Sequence, residues 1–295
     1  MKLYCNAFWS GFYGSPACMF FVELLSRTLD CRVELASQPE SADILLESHF
    51  GPSARTLRPW TYTVFFSGEC RACPNMRSYD CMLWGEATED NVVCCPLFVV
   101  NIYCEGWVDR IEGIPSAPPL PLPPTSRVCA VVSNPGGRER NLFMDVLDQQ
   151  GVPVDYAGRY RTNVPPLEAE FTSDEFFRAV GQYRCVLAME NSRGGHYVTE
   201  KILHGILAGN VPIYWGAANV ASYFNPDRMI HVAEMTPQHL EAALEEIQRV
   251  LTDDEAFQAK VSQPVFVDAS GNPSHQLPRT MDDIVVDMRR LLVKG

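Results

Sequence analysis

The sequence predicts an α/β protein of two domains, each built on a parallel β-sheet. Apolar strand-like runs alternate with helix-like runs along the chain, and most of these strands read as continuous apolar segments, which is typical of sheets covered on both faces. Six prolines between Ile114 and Ser126 exclude a helix or a central strand there and indicate a semi-rigid spacer. We therefore predict these divisions: a first domain 1–114, a linker 115–126, a second domain 127–275 and a C-terminal helix 276–295.

The first half begins with a strand, KLYCNAF, followed by a helix over Ala17–Leu29. Ser15 is suited to cap this helix, and Pro16 suits its first position. Four further strands are predicted from apolar runs at CRVEL, DILLE, YTVFF and CMLW.

The second half shows the alternation more plainly. Strands are predicted at VCAVVS, VPVDYAG, RCVLAM and VPIYW. Between and after them, helices are predicted at NLFMDVLDQQ, Ser173–Val180, TEKILHGILA, from Pro237 to about Leu251, and in the amphipathic final segment MDDIVVDMRRLLVKG. A repeated strand–turn–helix order implies a parallel sheet. Two such domains would place ligands in the cleft between them.

Composition and charge narrow the classes of function. The chain has 295 residues, a net charge of −12 and a pI near 5.0, which argues against non-specific nucleic-acid binding. No run approaches the roughly 18 apolar residues that a membrane span needs, and the first residues lack the pattern of a secretory signal. Eleven cysteines, several in apolar runs, favour a reducing compartment, so a cytoplasmic protein is expected.

Two loops of the second domain have phosphate-binding character. Ser133–Arg140 combines two glycines with Arg138 and Arg140 at a predicted helix start, and ENSRGGHYVTEK places Lys201 in the first turn of the next helix. Backbone N–H groups, the helix dipole and a guanidinium all favour an anion at such a point. Neither loop matches a P-loop or a GxGxxG fingerprint, which argues against a kinase or a dehydrogenase.

The stretch from Cys185 to Ile230 contains ENS, YVTEK, VPIYWG and FNP, in that order. In order and spacing it resembles the signature of the α1,3/α1,4-fucosyltransferase family, glycosyltransferase family 10. Weaker similarity extends to VVSNPGGRERN and VFFSGE, so the resemblance covers most of the chain except its C-terminal tail. It implies a GT-B fold, with two Rossmann-like domains facing across a cleft.

The resemblance also implies a donor site for GDP-fucose. Arg140 and Lys201 match the family residues that hold the diphosphate. Asn191, Tyr197 and Glu200 match residues that line the rest of the site, and Arg138 and Ser192 are additional candidates beside them.

The resemblance implies an inverting reaction, which needs a base to take the proton of the acceptor hydroxyl. In the family this base is a glutamate after a first-domain strand, and the matching residue is Glu69 in TVFFSGEC. Desolvation in the inter-domain cleft would raise its pKa toward working pH. Cys70 stands where the family usually has asparagine. Glu47 in LLESHFG is the rival base, and His49 beside it is left without a role.

No obligatory metal is expected, because Arg140 and Lys201 can stabilise the leaving diphosphate; stimulation by divalent ions is left open. The pairs Asp253-Asp254 and Asp282-Asp283 are interpreted as first-turn acids of helices rather than as metal ligands. Cys70 and Cys73 form a CxxC with more cysteines nearby, which leaves zinc, a disulfide or free thiols open.

Three functions fit these residues: a fucosyltransferase, a transferase for another nucleotide sugar on the same fold, and an inactive nucleotide- or glycan-binding relative. The joint presence of Glu69, Arg140 and Lys201 argues against the inactive relative, and the nearly complete YVTEK signature argues against another sugar. The expected acceptor is a glycan that contains N-acetylglucosamine, with an α1,3 linkage favoured over α1,4, as the resemblance implies.

Overall fold

The computed structural model describes residues 1–71, 76–86, 88–114, 122–195 and 197–293. They divide into two compact units. The first comprises Met1–Trp107 and the segment from Arg279 onward, and the second comprises Val108–Pro278. Both units are α/β, as predicted.

The first unit contains a six-stranded sheet in the order β2-β1-β3-β4-β5-β6, and every neighbouring pair is parallel. Its strands are β1 (Lys2–Asn6), β2 (Glu34–Leu35), β3 (Ile44–Glu47), β4 (Tyr62–Phe66), β5 (Cys81–Trp84) and β6 (Val92–Cys94). Its helices are α1 (Pro16–Leu29), α2 (Leu97–Cys104) and, from the chain's end, α9 (Met281–Leu292).

Helix α1 begins as the sequence predicts. The Ser15 hydroxyl accepts a hydrogen bond from the N–H of Cys18 at 3.2 Å, and Pro16 occupies the first helical position. The helix buries Phe21, Leu24 and Leu25 against the sheet core.

The second unit contains a five-stranded parallel sheet in the order β11-β10-β9-β7-β8. Its strands are β7 (Thr125–Ala130), β8 (Val154–Tyr156), β9 (Tyr183–Leu187), β10 (Val211–Tyr214) and β11 (Ile230–His231), with a separate short hairpin of β12 (Phe266–Val267) and β13 (Pro273–Ser274). Its helices are α3 (Val108–Glu112), α4 (Arg138–Gln149), α5 (Asp174–Val180), α6 (Lys201–Ala208), α7 (Pro237–Thr252) and α8 (Asp254–Val261).

Several bounds differ from the sequence prediction. The first unit ends at Trp107 rather than at 114, because Arg110 of α3 packs over the ring of Phe177 at 4.2 Å in the second unit's own core. Of the predicted linker, residues 115–121 lie outside the described residues. Its last two residues belong to β7, which starts at Thr125 because that residue pairs with Tyr183 of β9.

The C-terminal helix α9 belongs to the first unit. It packs on α1, and the N–H of Met281 donates to the hydroxyl of Tyr103 at 2.9 Å. Its buried face includes Ile284, Val285 and Met288, in agreement with the amphipathic pattern of the segment. The two Asp–Asp pairs cap or begin helices: Asp253 caps α8, and the second pair lies in the first turn of α9.

Candidate active site

The second sheet has its topological switch point between β7 and β9, because the chain leaves β7 toward β8 on one side and later returns to β9 on the other. Ligands of open α/β sheets bind at the carboxyl ends of strands at such a point. A pocket of about 230 Å³ opens there. It is lined by Val131, Val132, Ser133, Asn134, Arg140, Phe171, Phe176, Val186, Leu187, Met189, Asn191, Glu200, Lys201 and His204.

Arg140 lies in the first turn of α4 and is 4% exposed. One terminal nitrogen donates to Oδ1 of Asn191, and the other donates to the carbonyls of Gly136 and, at 2.6 Å, Asn134. Its Nε is buried without a partner among the described residues. Burial lowers the pKa of Arg140, but a guanidinium keeps its charge at any working pH. The guanidinium of Arg140 therefore links the two predicted phosphate-binding loops and presents a fixed positive charge to the pocket.

Lys201 stands at the first position of α6 and is balanced by a carboxylate that the sequence argument missed. Glu190 is fully buried and accepts from Lys201 Nζ at 3.0 Å and from the N–H and hydroxyl of Thr199 at 2.8 and 2.9 Å. Burial alone would lower the pKa of Lys201, but the carboxylates of Glu190 and Glu200 outweigh it and raise that pKa. Lys201 is therefore a cation at neutral pH, and Glu190 offsets the unfavourable position of this charge at the positive end of the α6 dipole.

Glu200 precedes α6 and lines the pocket, with a side chain 34% exposed. Its carboxylate lies 3.6 Å from Lys201 Nζ. Burial opposes its ionisation, but the lysine outweighs that effect and lowers the pKa of Glu200. It is therefore an ionised acceptor at neutral pH, suited to hydroxyl groups.

Three rings of the pocket lining form what we call its aromatic end, which adjoins Glu200 because the N–H of His204 donates to the Glu200 carbonyl at 2.9 Å. The His204 ring lies 5.3 Å from the ring of Phe176 in an edge arrangement and 6.1 Å from that of Phe171 in a stacked one. Burial lowers the pKa of His204 to about 4, so the imidazole is neutral near pH 7. Charged groups and flat rings that line one cavity suit a nucleotide, whose phosphates and base need these two environments.

The structure brings four of the predicted donor residues to the pocket: Arg140, Asn191, Glu200 and Lys201. The other three are not among the described residues that line it. Tyr197 is buried in the connecting loop, close enough to Lys201 to raise its pKa, whereas Arg138 and Ser192 are exposed beside the pocket.

The two candidate bases lie in the first unit. Glu69 follows β4 after Gly68 and is half-buried, with its N–H donating to Ser67 Oγ at 3.1 Å. Glu47 ends β3 and is buried; it accepts from Tyr79 at 2.5 Å, from Asn6 at 2.9 Å and from the N–H of Ala54 at 2.6 Å. These bonds engage both carboxylate oxygens of Glu47.

Sequence reasoning missed Glu190, Thr199 and the aromatic end of the pocket. Glu190 stood inside the ENS motif, directly after the predicted strand RCVLAM, and a buried acid there is the partner that a first-turn lysine requires. Phe171 and Phe176 are close in the sequence but His204 is in another helix, and only the fold places their rings together.

The described residues also bear on the hypotheses of a metal site, a membrane span and a disulfide. Within them, no group of three or more His, Cys, Asp or Glu is arranged to hold a metal ion, and no helix is long and apolar enough to cross a membrane. The ten cysteines that lie in this part of the chain are unbridged. Cys73 of the CxxC lies outside the described residues, so its predicted alternatives stay open.

An α/β switch point with a buried cationic pocket is typical of nucleotide-binding domains. Residues 123–259 match the family model described as glycosyltransferase family 10 (fucosyltransferase), C-terminal domain. This stretch of the chain therefore resembles glycosyltransferase family 10.

Relatives support the same assignment. The chain is 33% identical over 127 residues to an α-(1,3)-fucosyltransferase of Helicobacter pylori, over 43% of this chain and 25% of that protein. It is 30% identical over 149 residues to a human 4-galactosyl-N-acetylglucosaminide 3-α-L-fucosyltransferase, over 49% of this chain and 40% of that protein. A putative fucosyltransferase of Acanthamoeba polyphaga mimivirus is 24% identical over 58% of this chain and 28% of its own length. These matches thus span about a quarter to two fifths of the relatives' length.

Solved structures establish the fold. A crystal structure of an α1,3-fucosyltransferase with GDP superposes with a TM-score of 0.75 at 19% identity, over 100% of this chain and 91% of that one. A complex of such an enzyme with GDP-fucose gives a TM-score of 0.72 at 20% identity. The predicted GT-B fold class is thereby confirmed.

Proposed function

We propose that this protein transfers L-fucose from GDP-fucose to a hydroxyl of a glycan that contains N-acetylglucosamine, with inversion and with an α1,3 linkage favoured. The observation that carries the proposal is the pocket in which Arg140 and Lys201 are held by Asn191 and Glu190. The family's fucosyltransferase relatives, one of them named as acting on a galactosyl-N-acetylglucosaminide, support the choice of sugar and acceptor.

The diphosphate of the donor lies between Arg140 and Lys201. Two fixed cations in a largely buried pocket act more strongly than they would in water, and they need little rearrangement when charge develops. The guanine ring occupies the aromatic end beside Phe176 and neutral His204, and the carboxylate of Glu200 accepts from donor hydroxyls.

The reaction is a single displacement at the anomeric carbon. Glu69 takes the proton of the acceptor hydroxyl as its oxygen forms the new bond to that carbon. The bond from the anomeric carbon to the β-phosphate oxygen breaks with its electron pair, and GDP leaves. Arg140 and Lys201 receive the negative charge that grows on the diphosphate, so turnover is proposed to need no divalent ion.

Thermal shift with GDP, UDP and ADP tests the donor assignment. GDP should raise the melting temperature most, in the presence or absence of EDTA. Stabilisation by UDP but not by GDP would show that the donor is a different nucleotide sugar. Dependence of GDP binding on a divalent ion would contradict the proposed role of Arg140 and Lys201.

A further inference from the structure

Two thiols that the proposed reaction does not use face each other inside the first unit. Cys5 lies near the end of β1, Cys18 lies in the first turn of α1, and their sulfur atoms are 3.9 Å apart. The sulfur atoms of a disulfide are about 2 Å apart, so the two thiols have to approach by about 2 Å in total to form one. Rotation of the side chains can supply a movement of that size.

The fold places this pair, because both cysteines belong to regular elements of the core. Cys5 pairs with Leu46 of the neighbouring strand β3. The N–H of Cys18 donates to the capping hydroxyl of Ser15 at 3.2 Å, which fixes the start of α1. Thirteen positions separate the two cysteines in the sequence. Their contact is therefore a property of the folded first unit.

The position of Cys18 favours a thiolate. The amino-terminus of a helix stabilises negative charge, and a thiolate rather than a thiol is the nucleophile in cysteine chemistry. The hydrogen bond from Cys5 lowers the pKa of Cys18 to about 7, and the backbone of Gly14 acts in the same direction, against burial. The same hydrogen bond, together with burial, raises the pKa of Cys5. One sulfur is therefore suited to attack and the other keeps its proton.

Other cysteines of the chain lack this activation. Burial raises the pKa of Cys81, Cys104 and Cys129 to about 12, so these thiols are protonated at neutral pH. A protonated, buried thiol is chemically inert.

Solvent approaches the pair from one side. Cys18 is buried, but Cys5 is half-buried, and Gly14 beside the Cys18 sulfur is exposed. A Cβ added at Gly14 would meet no atom within 4 Å, so open space adjoins this turn. An oxidant that reaches the sulfurs by this route has to be small.

We propose that Cys5 and Cys18 form a reversible redox site, which a small hydroperoxide oxidises to a disulfide. The Cys18 thiolate attacks one oxygen of the hydroperoxide. The S–O bond forms, the O–O bond breaks, and the leaving oxygen takes up a proton, which gives water when the oxidant is hydrogen peroxide. The Cys5 sulfur then attacks the sulfenic acid on Cys18. The S–S bond forms, the S–O bond breaks, and hydroxide leaves with the Cys5 proton as water. Two thiols are oxidised and one peroxide is reduced.

A disulfide at this place links the end of β1 covalently to the first turn of α1. A dithiol such as dithiothreitol reverses it by thiol–disulfide exchange. The site does not depend on the proposed transferase function.

The test treats the reduced full chain with hydrogen peroxide at pH 7 and follows each cysteine by alkylation and peptide mass mapping. The same reaction in concentrated urea removes the folded contact. The variants are Cys5→Ser and Cys18→Ser. Cys31→Ser is the matched control, because Cys31 is also half-buried in the first unit, just after α1, and is unbridged.

In the folded wild type, the Cys5–Cys18 disulfide should be the first product. It should form about fivefold faster than the Cys31 thiol is lost, because a lower pKa raises the thiolate fraction more than it lowers nucleophilicity. Dithiothreitol should restore both thiols, and urea should abolish the preference. Cys5→Ser should leave added oxygen on Cys18, whereas Cys31→Ser should behave as the wild type.

Three results would overturn the site. One is that Cys5 and Cys18 stay reduced in the folded wild type while Cys31 is oxidised, a result that needs no variant to fold. Another is that the disulfide forms equally fast in urea. The third is that Cys18→Ser leaves Cys5 as readily oxidised as in the wild type.

Discussion

The two sheets of this chain end in switch points of opposite character. At the second sheet the loops turn inward: Arg140 and Glu190 are buried, and their partners are Asn191 and Lys201. At the first sheet the loops expose Trp9 and Phe50. A charged diphosphate needs pre-placed, desolvated cations. The second sheet therefore has the features that the proposed donor needs.

The largest expected effect is the loss of transfer activity when the proposed base is replaced. Glu69→Gln removes the proposed base without changing the size of the side chain. Transfer should fall about a thousandfold, while the Kd for GDP stays unchanged, because general-base catalysis contributes about that much. Steady-state kinetics and calorimetry with GDP measure the two quantities.

Glu47→Gln is the matched control for that experiment. The buried carboxylate of Glu47 accepts hydrogen bonds from Asn6 and Ala54. This variant should therefore lower the urea midpoint of unfolding and keep the transfer rate of the folded protein. Retained activity in Glu69→Gln together with its loss in Glu47→Gln would reverse the two roles.

The second prediction concerns the buried ion pair of the donor site. Glu190→Gln leaves the Lys201 ammonium without its buried counter-charge and should lower the free energy of unfolding by about 3 kcal/mol. Glu200→Gln should lower the free energy of unfolding by less than about 1 kcal/mol, because the Glu200 side chain is 34% exposed. Urea titration measures both, and equal losses would contradict the distinction between the two carboxylates.

The third prediction tests which arginine holds the diphosphate. Arg140→Ala should weaken GDP binding about thirtyfold, because hydrogen bonds to charged groups contribute roughly 2 kcal/mol. Arg138→Ala removes an exposed arginine two residues away on the same helix and should change the Kd by less than about twofold. A larger loss with Arg138→Ala would show that the pocket has been assigned to the wrong side chain.

The smallest expected effect is the pH dependence of stability at the aromatic end of the pocket. His204 has a folded pKa of about 4, below its ordinary value of about 6.5, so the unfolded chain binds more protons between these values. Stability should therefore fall as the pH drops through this window, by about 1 kcal/mol from pH 7 to pH 5.5. Urea midpoints of the wild type and His204→Gln measure it. The same slope in both proteins would contradict the assignment to His204.

Motifs predicted the charged half of the donor site, but not what holds it. Arg140 and Lys201 could be predicted because in each loop a glycine, a cationic residue and a helix start are close together in the sequence. The pairing of Lys201 with Glu190 was hidden, because eleven residues separate the two and only a turn of the chain brings them together. The aromatic end was hidden for the same reason.

Prediction of the fold from the sequence was limited in the same way. Strands YTVFF and CMLW were predicted to the residue, because each is a short apolar run with clear ends. The membership of α9 in the first unit depends on Met281 meeting Tyr103, 178 residues earlier. The earlier start of β7 depends on its pairing with β9. No local pattern reports contacts of that range.

The most direct test of the central claim is the anomeric configuration of the product. The wild-type chain would be incubated with GDP-fucose and N-acetyllactosamine, and the new glycosidic bond would be read by NMR. A single displacement assisted by Glu69 predicts one fucoside, with the configuration opposite to that of the donor, and one GDP released for each bond formed. A product that keeps the donor's configuration, or GDP-fucose that is bound but never transferred to any acceptor of a glycan panel, would contradict it.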